Sequence, residues 1–414
     1  MTKQILLLLI LWLTLISCQT QPTEVATPIP PTSTSAPTVG LKLVKTPIMP
    51  TPQVTPTPLP TLVVLPANCP PACRQLDLRH VDLDSLDLRG ANLSQANLSG
   101  RDLTGFDLQQ TNLSGANLNQ TNLSDVILYQ ADLSGADLSE ADLSGADLSR
   151  ANLAQANLHG AQLKEVNLYQ VALSEAHLGN TTVLDERWRL EWEIINHQQV
   201  GRELAQVDLS QASLHGAYLH MANLSQANLV GANLSGADLS QANLSGADLS
   251  QANLNGANLS ASILNEAMFE GAILHQAVIR DTDAIGANFR QADLSQADLY
   301  RINLTDADLS GGTLQGAKLQ RAKFSNTDLT NVDLRRSKLD VFTEMDEKWF
   351  IVWTVIHTGS WELDLRWADF SGAKLYDADL RGANLSWANL EGADLSQVQY
   401  DGWTLWPEGI VLEE

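Results

Sequence analysis

The sequence predicts an all-β solenoid made of square coils, four five-residue units to a coil, and three observations carry the prediction. Leucine, or with the one exception of Ala284 a bulky substitute, recurs at every fifth position from Leu78 to Leu178, from Leu204 to Leu339, and from Leu365 to Tyr400. The flanking residues repeat with it, as in Ala131-Asp132-Leu133-Ser134-Gly135. The acids, finally, are spaced so that a twenty-residue coil keeps most of them apart.

The period comes first, because five fits neither regular element. Five residues of α-helix advance about 500°, which would spread the leucines around every side. On a flat strand an odd spacing sends successive leucines to opposite faces. One core holds them all only if the chain bends after each unit. A quarter turn per unit closes a coil in twenty residues. Leu and the Ala two residues before it then point inward, and the other three positions point to water. A lone unit is unstable. Burying a leucine contributes about 1.5–3 kcal/mol, whereas ordering five residues costs about 5–10 kcal/mol of backbone entropy. Stacked neighbours must supply the difference, as in repeat arrays generally.

Charge gives an independent check on twenty. Asp132, Asp137, Asp142 and Asp147 precede four consecutive leucines. Twenty residues earlier stand Asn112, Asn117, Asn122 and Ile127; twenty later stand Asn152, Asn157, Gln162 and Asn167. Coils stack about 4.8 Å apart, where like charges repel, so neutral neighbours suit these acids. Asp87 and Asp107 break the pattern.

On these motifs the chain resembles the pentapeptide-repeat proteins. The resemblance covers about 57 units of five, nearly all of the folded region. It implies a right-handed quadrilateral β-helix of roughly 14 coils, on the order of 65–70 Å long at the strand spacing. Arg101 occupies an inward Ala position and must snorkel or distort the coil. Ala284 replaces a central Leu, and Phe269, Phe289 and Phe324 enlarge the core.

The N-terminus is of another kind. Lys3 is a short basic flank, and Ile5 to Leu15 is an apolar run too short to span a membrane. Leu15-Ile16-Ser17-Cys18 then resembles a lipobox, which makes residues 1–18 a lipoprotein-type signal with lipid on Cys18; an ordinary signal peptide with a chance cysteine is the alternative. Residues 19–68 are rich in Thr and Pro, as in Thr55-Pro56-Thr57-Pro58, and read as a disordered tether. Cys69 and Cys73 sit just before the first repeat. In an oxidising compartment they suit a small disulfide that closes the open end; half a metal site is the alternative. The chain is expected to be membrane-anchored rather than integral.

Solenoid is then expected over 69–184, 204–343 and 365–402, separated by helical inserts over 185–203 and 344–364. Each insert shifts the register by one residue. Asp185-Glu186-Arg187-Trp188 matches Asp346-Glu347-Lys348-Trp349, and Trp192 and Ile195 match Trp353 and Ile356, all offset by 161. Trp188, Trp192 and Ile195 have i, i+4, i+7 spacing, an amphipathic helix signal, with Asp185 placed as N-cap. These helices either plug the interrupted stack or dock a partner. Seven of the ten tryptophans lie between Trp349 and Trp406. Trp367 and Trp387 are twenty apart and should stack on one outward edge, either as an interaction surface or under the terminal segment Trp403-Thr404-Leu405-Trp406-Pro407. Residues 403–414 are read as cap and tail.

Catalytic signatures are missing. The eight histidines are scattered, with His215 and His220 on adjacent sides of a coil. The aspartates are spread evenly, unlike an acid/base pair. No phosphate loop, zinc spacing or nucleophile elbow occurs, and a leucine-filled interior leaves no cleft. No enzyme activity, metal or cofactor is therefore expected. The net charge of −23, from 48 acids and 25 bases, opposes nucleic-acid binding. The expectation is a non-catalytic, lipid-anchored extracytoplasmic rod serving as a structural or protein-interaction scaffold at the cell envelope. One alternative is an exported module that binds glycan or protein through its Trp-rich end. Another, implied by the resemblance, is an acidic mimic of DNA that inhibits a topoisomerase in the cytoplasm. Residues 318–338 weigh against an even acidic field, since Lys318, Arg321, Lys323, Arg335, Arg336 and Lys338 fall there.

Overall fold

The computed structural model describes residues 73–359 and 363–410. The signal segment, Cys18, the tether and Cys69 lie outside the described residues. Two compact units divide between Trp192 and Glu193.

In the N-terminal unit the chain coils with a period of twenty. Parallel bridges join Asn92 to Asn112, Asn112 to Asp132 and Asp132 to Asn152. The four acids at Asp132 to Asp147 meet the neutral partners that the spacing predicts. Neighbouring amides also bond to them: Asn152 Nδ2 donates to Asp132 Oδ1 at 3.0 Å, and Asn157 Nδ2 to Asp137 Oδ1 at 2.9 Å.

The five-residue motif follows from backbone accounting, since buried N–H groups must find partners. In the unit Ala131 to Gly135, the Asp132 N–H donates to the coil before, and the Leu133 and Gly135 N–H groups donate to the coil after. The Ala131 N–H closes a turn onto Leu128 O at 2.9 Å. That leaves the Ser134 N–H, which donates to Asp132 Oδ1 at 3.1 Å. Where Asp or Asn precedes the leucine it thus supplies the bond that the ladder cannot, as an Asx-turn. Serine after the leucine often adds its hydroxyl, as in Ser139 Oγ to Asp137 Oδ1 at 2.6 Å.

The residue completing most of the turns has positive φ, the pattern of a type II turn. Glycine suits it, yet Gln95, Gln110, Gln130 and many others sit there instead. Glutamine has no special tolerance for this conformation. Its gain lies outside the coil, where side chains twenty apart bond to one another. Gln110 donates to Gln130 at 3.1 Å, and Gln120 to Glu140 at 2.8 Å.

The leucines from Leu113 to Leu168 and the inward alanines between them are buried almost completely. Where Thr replaces the inward Ala, its hydroxyl is satisfied: Thr111 Oγ1 donates to Leu88 O at 3.0 Å. Arg101 snorkels as its position requires. Its Nη1 reaches Val81 O at 2.6 Å, with Leu78 O and Arg79 O at 3.2 and 3.3 Å. Those carbonyls belong to the first, irregular coil. Cys73, at its start, is buried and disulfide-bonded.

This unit ends in a wider coil. Strand β1 (Gln162–Leu163) pairs in parallel with β2 (Val183–Leu184), Gln162 opposite Val183, an offset of twenty-one. The extra residue therefore enters before the helix, not across it as counting in fives suggests. Val183 is 45% exposed, and Leu184 joins the leucine column. Helix α1 (Glu186–Asn196) follows, with the Asp185 carbonyl accepting from the Arg189 N–H. Trp192 Nε1 donates to Ala176 O at 2.7 Å. Its ring closes the end of the leucine column, leaving a void of about 10 Å³. Glu191 and Ile194 are the buried side chains of α1, while Trp188, Trp192 and Ile195 are half-buried. The expected stripe therefore does not mark the most buried face.

The C-terminal unit repeats the plan. Bridges at offset twenty run from Glu203–Asn223 to Lys318–Lys338. Phe269 and Phe289, one coil apart, stack with centroids 4.7 Å apart and planes 5° apart. Ala284 is fully buried and its unit keeps both flanking bridges, so the small residue does not interrupt the ladder. Strand β3 (Lys323–Phe324) pairs with β4 (Glu344–Met345), again at twenty-one. This second solenoid run thus extends through Met345. Helix α2 (Glu347–Thr358) is capped by Asp346, whose backbone is extended but whose side chain makes no capping bond. The stack then resumes, the Asn331 N–H donating to Gly372 O at 2.6 Å. A third twenty-one-residue coil ends it, with Asn384 opposite Leu405. All three wide coils share one device. Thr182, Thr343 and Thr404 donate to the carbonyls of Leu158, Leu319 and Leu380 at 2.7, 3.0 and 3.0 Å. Each hydroxyl also accepts a backbone N–H three residues back.

Candidate binding surface

Among the described residues the solenoid interior is filled mainly by leucine and alanine, and most polar side chains lie on the surface. Most outward positions hold residues that the ladder explains. His215, His220 and His275 each bond through Nδ1 to a serine one coil on, at 2.8 Å, and are ordinary rungs. Asp87 and Asp107, the exceptions to charge spacing, share a cation. Arg89 Nη2 lies 2.8 Å from Asp87 Oδ2, and its Nε 4.0 Å from Asp107 Oδ2. Bonding from the Arg89 guanidinium, and then from its backbone N–H, holds the Asp87 carboxyl down to about 2. A depressed folded-state pKa stabilises the fold above the unfolded value of about 3.9, and that contribution is lost as pH falls through about 2. NMR titration of the Asp87 carboxyl should show a midpoint near 2, moving up toward about 3.9 in Arg89→Ala.

Two tryptophans do not fit the ladder pattern. Trp367 and Trp387 occupy successive turn-completing positions with φ of 65° and 62°. Positive φ is unfavourable for a bulky side chain. They stack with centroids 5.0 Å apart and planes 11° apart, as their spacing of twenty predicts. Both stay open to water, 72% and 61% exposed. The terminal segment does not cover them. It ends the stack through the Leu405 bridge, Trp406 packs edge-on to Tyr400 at 5.8 Å, and Trp403 is itself 81% exposed. The expectation that this segment shields the pair is thus corrected.

Beside Trp367 lies a cleft of about 420 Å³ between α2 and the start of the third solenoid run. Glu347, Lys348, Ile351 and Thr354 line it from the helix, and residues 363–369 line the other side. Its cations are engaged. Arg366 donates through Nε and Nη2 to Asp364 at 2.8 and 2.6 Å. Lys348 Nζ reaches Ser371 Oγ at 2.8 Å and Asp369 Oδ2 at 3.3 Å. Fivefold periodicity gives no hint of this cleft, because α2 interrupts the repeat. The signal available in the sequence is the crowding of tryptophan after Trp349.

Helix α2 is the more deeply buried insert. Trp349, Val352, Trp353 and Val355 are all buried. Trp353 Nε1 lies 3.3 Å from Ser337 O and 3.1 Å from Ser337 Oγ, the counterpart of Trp192 on Ala176. Both helices therefore close solenoid runs. Among the described residues no group of three or more His, Cys, Asp or Glu could hold a metal ion, and no helix is long and apolar enough to cross a membrane.

Among known proteins, no curated sequence matches the chain. Solved structures do. HetL, a pentapeptide repeat protein involved in heterocyst differentiation regulation from the cyanobacterium Nostoc sp. strain PCC 7120, is 29% identical. That match covers 63% of this chain and 93% of HetL, with a TM-score of 0.29. QnrB1, a plasmid-mediated fluoroquinolone resistance protein, is 15% identical over 73% of this chain and 91% of its own, TM-score 0.26. A pentapeptide repeat protein of the Arabidopsis thaliana thylakoid lumen is 24% identical over 31% and 68%, TM-score 0.18. The family model for pentapeptide repeats (8 copies) matches in overlapping stretches that together span 73–180, 203–340 and 362–397. Those stretches coincide with the three runs of twenty-residue coils and skip both helices, and on that match the chain belongs to the pentapeptide-repeat family.

Proposed function

We propose that this protein is a non-catalytic scaffold, a right-handed quadrilateral β-helix with two helical plugs, held by lipid on Cys18 outside a membrane. The four-sided form rests on the register, since bridges at offset twenty enclose four five-residue units. The anchor rests on the lipobox-like Leu15-Ile16-Ser17-Cys18 and the Thr/Pro tether after it. The observation that carries the functional reading is the Trp367–Trp387 pair. Two large apolar rings held in an unfavourable backbone conformation and left open to water contribute little to folding, so a binding role explains them best.

Two tests follow. Palmitate labelling and protease accessibility in intact cells or spheroplasts, with Cys18→Ala as control, check the anchor. Unlabelled, protected, soluble protein would overturn it, and inhibition in a supercoiling assay would then favour the acidic mimic. Second, Trp367→Ala with Trp387→Ala should change the melting temperature by no more than a few degrees. The pair forfeits only about 0.5–1.5 kcal/mol of ring stacking, and exposed rings bury little else. A large drop would show that these rings are core.

A further inference from the structure

We infer that the cleft between α2 and the third solenoid run is a saccharide site that takes one unit of a neutral oligosaccharide against the free face of Trp367. This deepens the binding-surface reading and depends on it only in needing the cleft open to solvent.

Trp387 covers one face of Trp367 at 5.0 Å, and Trp367 also lines the cleft. The pair is thus a platform two rings thick, with Trp387 bracing Trp367. A pyranose has an apolar C–H face that suits a flat indole and a rim of hydroxyls that both donate and accept. The cleft offers what such a rim needs. Glu347, Asp364 and Asp369 present carboxylate oxygens, while Lys348 and Arg366 have N–H groups beyond those used in their ion pairs. The volume of about 420 Å³ is that of a small-ligand site.

Charge selects neutrality. Arg366 is already paired with Asp364, and Lys348 with Asp369. Neither cation is free to neutralise an acidic sugar, and Glu347 would repel one. The same ion pairs hold their side chains in place before a ligand arrives, which lowers the ordering cost of binding. A protein partner would be expected to bury more than one ring and a polar cleft, so the small, polar, aromatic-floored shape favours a sugar.

The test uses the full chain in a detergent without a sugar headgroup, because glycosidic detergents would compete. Cellohexaose and chitohexaose are titrated by calorimetry and tryptophan fluorescence, with polygalacturonate hexamer and choline as charged comparisons. Saturable binding of a neutral hexamer is expected, weakened at least about tenfold by Trp367→Ala and less by Trp367→Phe. Trp403→Ala, whose ring does not line the cleft, should leave it unchanged. Melting curves of each variant separate lost binding from lost folding. No saturable binding of either neutral hexamer, preference for the acidic sugar or choline, or equal affinity in Trp367→Ala would overturn the inference. None of these outcomes touches the anchor, which stands or falls on Cys18 labelling.

Discussion

Leu244→Ala is expected to destabilise the C-terminal unit by about 3–5 kcal/mol. Leu244 is fully buried, as are Leu224 and Leu264, its equivalents one coil before and after. The size of the effect follows from the frame around it. The Leu244 N–H donates to Ile263 O at 2.8 Å, and the Leu224 N–H to Asn243 O at 2.7 Å. Coils bonded above and below at fixed spacing cannot close onto the missing atoms, so most of the cavity persists, which is the costly case. Leu395, half-buried near the end of the third run, should lose far less on the same change, about 1 kcal/mol, because water already reaches it. Denaturant unfolding should show a lower midpoint for Leu244→Ala at unchanged slope. A loss below about 1 kcal/mol would mean that the leucine column is loosely packed. A changed slope would mean that the array breaks into separately unfolding parts, as linear repeat proteins can.

Regularity made the leucine column readable. Inward Leu and Ala, the twenty-residue coil and the neutral neighbours of Asp132 to Asp147 all follow from spacing, because one period repeats without interruption over many coils. The departures were hidden where two readings of a residue cost the same on paper. Val183 and Leu184 are both apolar, so counting in fives stops at Val183. The chain adds a residue first, and Thr182 still bonds Leu158 O across the widened coil. Glutamine at positive φ gives no turn signal at all, since its benefit is a bond to a residue twenty positions away. In α1 the i, i+4, i+7 rule picked out apolar residues, yet Glu191 is buried and Trp188 only half so. The candidate site was half legible. The Trp367–Trp387 stack is a direct consequence of the period. The cleft beneath it needed α2, a segment that the period does not place.

The second large effect is expected from Trp353→Ala, about 3–5 kcal/mol. Trp353 is buried and performs three tasks at once. Its indole N–H satisfies Ser337 at the last regular coil before α2. Its ring stacks on His357 at 4.4 Å and lies 6.2 Å from Phe350. Its backbone carbonyl accepts a hydrogen bond from His357 Nδ1 at 2.8 Å, so that side chain and main chain fix the same imidazole. Truncation leaves a cavity and strips Ser337 O and Oγ of a donor. Trp353→Phe keeps an aromatic ring, though a smaller one, but not the N–H and should lose less, about 1–3 kcal/mol. The histidine supplies an independent readout. Burial, the largest cause, pushes the His357 imidazole below its usual range, against the raising effect of its backbone bonds. Since the folded value lies below the unfolded one, this group costs the fold nothing well above about pH 6.5 and opposes folding as pH falls through that value. Opening the plug lets water reach the ring, so the His357 pKa in Trp353→Ala should rise toward about 6.5. A destabilised variant with an unmoved His357 titration would place the lost energy elsewhere, and a variant of native stability would mean that α2 does not plug the run it follows.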